Sequence, residues 1–273
     1  MAERALRPDD RIRTVSIRQG LGWLLGAAHW VRVGTPSLVG IGALWLIVSM
    51  LAILPVVGQV ILAIITPLLT AGVLLAFDDI KAKRLPRPSI LFSAWYRPKA
   101  KVVLLLLGVW TVIAAMVALT FLATWLGTQI SEQELQKALE SPEGLNALID
   151  RLSIGAGLYA TIAVGIFWLM ALYFAIPLVI FGEASLWVAT RASLKAIVMN
   201  TPAFMAYLLT LVVLVGGFVF ALVGVVGMVS QLPGALGLML AQVLILVMSM
   251  LLQITLTGAQ YLAFCDIFGW SAE

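Results

Sequence analysis

The chain has 273 residues, 62% hydrophobic and 11% charged, with a mean hydropathy of +1.09, whereas soluble domains carry about 25% charged residues, so the composition is that of a membrane protein. The net charge of +4 does not point to nucleic acid, because the basic residues flank apolar runs, where membrane topology explains them. A lone Cys265 excludes an internal disulfide and a lone His29 excludes a histidine-rich metal site.

The first apolar span starts near residue 37, behind a basic segment. That is too far into the chain for a secretory signal, so the N-terminus is expected to be kept. Residues 37–77 are nearly free of charge and would make a helix about 62 Å long, twice the hydrocarbon thickness of about 30 Å. Pro55-Val56-Val57-Gly58 supplies the break, giving helices at about 37–54 and 59–77. A third helix is predicted at about 102–126 and a fourth at about 154–181. The run 203–267 is again too long for one crossing, and Ser230-Gln231-Leu232-Pro233-Gly234 divides it into a fifth and a sixth.

Fifteen of the seventeen Lys and Arg residues then fall on one side. Arg4, Arg7, Arg11, Arg13, Arg18 and Arg32 precede the first span; Lys81, Lys83, Arg84, Arg87, Arg97, Lys99 and Lys101 join the second and third; Arg191 and Lys195 join the fourth and fifth. The other side has Lys137 and Arg151 among Glu132, Glu134, Glu140, Glu143 and Asp150. The positive-inside rule places both termini in the cytoplasm. On the far side, residues 128–153 read as two short surface helices. Ser131 with Glu134 forms a capping box, Ser141 caps before Pro142, and Leu145, Leu148, Ile149 and Leu152 make one apolar face. A docking face or lid is the alternative for this insert.

Two stretches match in register: Thr70-Ala71-Gly72-Val73-Leu74-Leu75-Ala76-Phe77-Asp78-Asp79-Ile80 and Thr257-Gly258-Ala259-Gln260-Tyr261-Leu262-Ala263-Phe264-Cys265-Asp266-Ile267. Phe181-Gly182-Glu183 is a weaker third ending. Thr35-Pro36, Arg97-Pro98 and Thr201-Pro202 are matching starts, each near a tryptophan (Trp30, Trp95, Trp187). The chain 1–273 is therefore expected to be a single transmembrane domain built from a parallel repeat of helical hairpins, with units at about 16–80, 89–183 and 185–267. Each unit would open with a cytoplasmic interfacial amphipathic helix. In 16–32, Ile17, Leu21, Leu24, Leu25 and Ala28 form one face with Arg18 and Arg32 outside it; Ser185 caps a helix to Met199 with Arg191 and Lys195 on its polar side. Arg18, Arg32, Arg191 and Lys195 are candidate contacts to anionic lipid headgroups, and His29 reads as a further headgroup contact.

Asp79, Glu183 and Asp266 end helices where the macrodipole disfavours negative charge. They read as salt bridges to the basic interfacial helices, or alternatively as an acidic ring at a cytoplasmic pore mouth or a cation site. Gln242, Ser249, Gln253, Thr257 and Gln260 share one face of the last helix. They read as interhelical hydrogen-bonding glue, with a hydrated cavity or headgroup groove as the alternative. Gly157, Thr161 and Gly165, and Gly217, Ala221 and Gly224, offer small-residue packing faces, and Pro67 and Pro177 are expected to kink their helices. No catalytic constellation, phosphate-cradling loop or cofactor site emerges.

Leu54-Pro55, Pro67-Leu68-Leu69-Thr70-Ala71-Gly72 and Ala189-Thr190-Arg191-Ala192-Ser193-Leu194-Lys195-Ala196, followed by Asn200, resemble the pattern of a family of uncharacterised six-helix proteobacterial inner-membrane proteins. The chain is also similar, more distantly, to the membrane domains attached to some glycerophosphodiester phosphodiesterases, without any phosphodiesterase metal site. The resemblance implies the fold and carries no activity. The expectation is an all-α polytopic membrane protein with six transmembrane helices that is not an enzyme. It would act as an accessory subunit of an envelope complex or a lipid-interacting scaffold, with membrane lipids and a membrane-protein partner or second copy as its contacts. A small transporter, channel or lipid-translocating protein is the alternative.

Overall fold

The computed structural model describes residues 12–131, 155–232 and 235–271, with 134, 136, 140, 141, 143, 144 and 146 between. Among these residues there is no strand. The helices are α1 (Ile17–Val33), α2 (Thr35–Ser49, continued by a 3-10 turn, Met50–Ile53), α3 (Val57–Lys81), a 3-10 helix (Pro88–Tyr96), α4 (Pro98–Gln129), α5 (Ala156–Tyr173), α6 (Ala175–Gly182), α7 (Leu186–Met199), α8 (Thr201–Val229) and α9 (Ala235–Phe268). Six stretches are long and apolar enough to cross a membrane: Pro36–Ile53, Val57–Lys81, Pro98–Gln129, Ala156–Gly182, Thr201–Val229 and Met239–Phe268. By length and composition, the chain is a multi-pass integral membrane protein.

The first break forms as expected, by a mechanism the sequence did not specify. Val57 N–H donates to the Pro55 carbonyl at 2.6 Å, closing a γ-turn with Val56 at φ 58°, ψ −60°. That conformation is strained for a β-branched residue. Gly58 follows because its backbone lies against the Leu51 carbonyl, leaving no room for a side chain. Residues 233 and 234 of the second break lie outside the described residues.

The chain divides into two compact units, Met1–Gly108 with Ala171–Glu273, and Val109–Met170. In the first, α1 lies across α8 and α9. Ser16 opens it with a capping box: Ser16 N–H donates to Gln19 Oε1 at 2.8 Å and Gln19 N–H donates back to Ser16 Oγ at 3.4 Å. Gly20, Trp23, Leu24 and Ala27 are buried against the bundle. Ile17, Leu21, Leu25 and Ala28 are exposed, so the expected apolar face is a second stripe beside the packed one. Arg32, at i+4 from Ala28 and i+7 from Leu25, continues that exposed stripe instead of lying outside it. α7 starts after Ser185 and ends at Met199 as expected, although the Ser185 side chain makes no cap bond. Arg191 and Lys195 are exposed on it, and Ala189, Ala192, Ser193, Ala196 and Ile197 are buried.

The segment expected to open the middle unit is a nine-residue 3-10 helix and not an α-helix. Pro88 and Pro98 bracket it closely, and its buried residues Leu91 and Ala94 recur at three, the period of a 3-10 turn. α3 packs on it with residues 67–77 all buried. The ends of α3, α6 and α9 meet: Phe181 packs on Phe264 and Tyr261 with ring centroids 5.6 and 5.9 Å apart, and Phe77 stacks on Tyr261 at 6.4 Å. The segments nearest the two termini lie together at this end. Arg13 N–H donates to the Ile267 carbonyl at 2.8 Å, and buried Asn200 accepts from Val15 N–H at 2.8 Å and donates to the Arg13 carbonyl at 3.0 Å.

Val109–Met170 is an antiparallel helical hairpin. Trp110 stacks on Trp168 at 6.2 Å, Thr161 hydroxyl approaches the Ala118 carbonyl at 3.4 Å, and Gly157 sits against Trp125. Gly157 and Thr161 thus serve the expected small-residue contact, while Gly165 faces open space. So do Gly217 and Gly224 on α8, whose small face packs on nothing within the described residues. In the insert, the Ser131–Glu134 capping box forms, with Ser131 N–H to Glu134 Oε2 at 3.1 Å, and Ser141 Oγ accepts from Gly144 N–H at 3.0 Å. The apolar face of Leu145, Leu148, Ile149 and Leu152 lies outside the described residues.

Candidate functional site

The polar stripe of α9 divides into two halves. Thr257 and Gln260 are buried, whereas Gln242, Ser249 and Gln253 are exposed. The buried half is explained by Pro177. A proline removes the N–H that would bond the carbonyl four residues earlier, here Tyr173. Gln260 Nε2 donates to that carbonyl instead. The helix breaks between α5 and α6, and the Phe174 N–H is taken by buried Ser193 Oγ at 2.9 Å. Two side chains from neighbouring helices thereby repair a proline break inside an apolar span. Thr257 hydroxyl donates to the Gln253 carbonyl at 3.0 Å, and Ser249 hydroxyl to the Ile245 carbonyl at 2.7 Å.

Ser249 and Gln253 of the exposed half border a groove of about 190 Å³ between α2 and α9, lined also by Trp45, Ser49, Met250 and Ile254. Gln260, turned inward to Tyr173, is not among the residues that line this groove. A second groove, about 220 Å³ and almost wholly apolar, lies where α1 meets α8 and α9; Leu24, Leu25, Ala28, Leu214, Phe218 and Met248 line it.

The three acidic helix ends have three different partners. Asp79 pairs with Arg84 at 2.9 Å, five residues along its own chain. Glu183 meets Lys99 at 3.6 Å, with both side chains largely exposed. Asp266 is tied to α1, but through the Trp23 indole N–H at 2.8 Å instead of a cation. The central acid is one that the helix-end pattern passed over. Asp78 Oδ1 accepts from Tyr261 hydroxyl at 2.7 Å and Trp270 Nε1 at 2.8 Å. Lys81 closes the group, donating to the Trp270 carbonyl at 3.2 Å and standing 5.6 Å from the Tyr261 ring centre. The repeat alignment held the signal: Asp78 is the register partner of buried Cys265, so it faces inward where Asp79 faces outward. Arg97 donates to the Ile180 carbonyl at 3.0 Å, a cation at a helix C-terminus.

The headgroup candidates Arg18, Arg32, Arg191 and Lys195 are all exposed, as is His29. Among the described residues no three His, Cys, Asp or Glu side chains lie close enough to hold a metal ion. Comparison with family profiles, with curated proteins and with solved structures finds no match to the chain.

Proposed function

We propose that the protein is a non-enzymatic, lipid-interacting scaffold of the bacterial inner membrane, oriented with both termini in the cytoplasm. The observation that carries this reading is α1. It is fastened to the bundle by Trp23, Gly20 and Ala27, yet leaves Ile17, Leu21, Leu25 and Ala28 exposed in a line that ends on Arg32. An apolar stripe with a basic end suits the boundary between acyl chains and anionic headgroups, where the arginine stem can lie along hydrocarbon and its head reach phosphate. The apolar groove above Leu25 and Ala28 extends that stripe between α8 and α9. Arg18 on α1, and Arg191 and Lys195 on α7, add cations to the same headgroup layer. The repeat of hairpins is part of the proposal, supported by the matched endings and by the meeting of Phe77, Phe181 and Phe264 around Tyr261.

The role of accessory subunit in an envelope complex rests on a different observation. None of the most apolar 18 residues of α8 is buried, which leaves that span free to pack on another membrane protein. Purification in mild detergent, with mass spectrometry of the lipids and proteins retained, tests both. Enrichment of phosphatidylglycerol or cardiolipin over phosphatidylethanolamine, reduced by Arg32→Gln, is the expected result. Retained lipid that merely mirrors the bulk membrane would overturn the scaffold reading, and a stoichiometric second protein would move the function to the subunit.

A further inference from the structure

We infer that two copies of the chain associate through the groove between α2 and α9, with Gln253 of each copy hydrogen-bonded to Gln253 of the other. Gln253 is fourteen residues from Met239 and fifteen from Phe268, so it lies at the midpoint of its span, about 21–23 Å from either end. Its side chain is exposed and makes no hydrogen bond among the described residues; nor does the hydroxyl of Ser49 across the groove. The contrast with Gln260, whose amide is buried and bonded to Tyr173, is sharp. Acyl chains offer neither donors nor acceptors, so an amide left facing them at that depth is costly and draws in a polar partner. Lipid headgroups sit at the membrane boundary and cannot supply one.

A second copy can. Copies of one chain insert with the same orientation, so a two-fold axis along the membrane normal brings each residue to its own counterpart at equal depth. A carboxamide both donates and accepts, which makes Gln253 complementary to itself, and two such side chains can exchange two hydrogen bonds. The small side chains of Ser49 and Ser249 beside it let facing helices approach closely. This pairing is independent of the lipid reading, since it uses neither α1 nor the apolar groove.

The test is made on the full chain in liposomes of phosphatidylethanolamine and phosphatidylglycerol at three parts to one. Single-molecule photobleaching across a series of lipid-to-protein ratios gives the dimer fraction. Gln253→Leu is expected to weaken association about tenfold, while Gln253→Asn, which keeps the amide, retains it. In a Cys265→Ala background, Ser249→Cys should give a disulfide-linked dimer on oxidation with copper phenanthroline, and Phe220→Cys on α8 should not. Equal dimer fractions for wild type and Gln253→Leu would overturn the inference. So would the absence of a Ser249→Cys dimer. The lipids that co-purify should be the same for Gln253→Leu as for wild type, so failure of the pairing and failure of the scaffold reading can be told apart.

Discussion

The spans α3 and α8 are alike in length and apolarity, yet of the six spans one is the most buried and the other the least. Over half of the most apolar 18 residues of α3 are buried, and none of those of α8. Apolarity alone cannot separate them, because a leucine is as well accommodated by lipid as by protein. Backbone access makes the difference. Gly72 of α3 lies against the Leu91 backbone, where a side-chain carbon would collide with the carbonyl. Gly217 and Gly224 of α8 face open space. Gly72→Leu is therefore expected to cost about 3 kcal/mol or more, since neither backbone can yield easily, and Gly224→Leu to leave stability unchanged. Thermal unfolding in dodecyl maltoside reads both. Equal losses at the two positions would break the contrast and show α8 to be packed within the monomer.

That pair also marks what the sequence discloses. Hydropathy and the Pro-Gly breaks gave all six spans and most of their ends, because crossing a membrane requires length and apolarity, which are local properties. The extents of α1, read as 16–32, and of α7, read as running to Met199, were legible from the spacing of their apolar and basic residues. Which glycine touches a backbone is not local, and Gly72 and Gly217 look alike in the chain. The polar sites were legible by residue type but not by partner. Gln260 was visible as an amide needing a bond; that the bond would go to the carbonyl freed by Pro177 depends on how α5, α6 and α9 meet. Asp78 was hidden for a related reason. Two adjacent acids end α3; their alignment with Cys265 and Asp266 separates them, but only the fold names the partners, Tyr261 and Trp270 for the first and Arg84 for the second.

The next prediction sharpens the contrast within buried helices. Gln260→Leu leaves the Tyr173 carbonyl without a donor in a dry interior, at an expected cost of about 1–2 kcal/mol. Pro177→Ala restores the helix's own N–H at that position. In the Pro177→Ala background, Gln260→Leu should then cost much less, and the double-mutant cycle isolates the coupling. If the two changes simply add, Gln260 does not serve the proline break, and the buried half of the stripe needs another explanation.

The smallest effect concerns Glu183, where charge and backbone make opposite demands. Its contact with Lys99 is long and largely exposed, so solvent and salt screen it, and Glu183→Gln should change stability by no more than the scatter of the measurement. Its backbone is another matter. At φ 48°, ψ 28° it ends α6 in the left-handed conformation, which costs a residue with a Cβ about 1–2 kcal/mol and costs glycine nothing. Glycine gives back part of that gain through its greater freedom in the unfolded chain, about 0.5–1 kcal/mol. Glu183→Gly is thus expected to stabilise the protein by about 0.5 kcal/mol, even though it deletes an acid at a helix end. A loss of stability on Glu183→Gly, with Glu183→Gln neutral, would mean that the side chain's carbon stem packs at the end of α6. A loss in both would give the Lys99 contact a weight that its distance and exposure do not support.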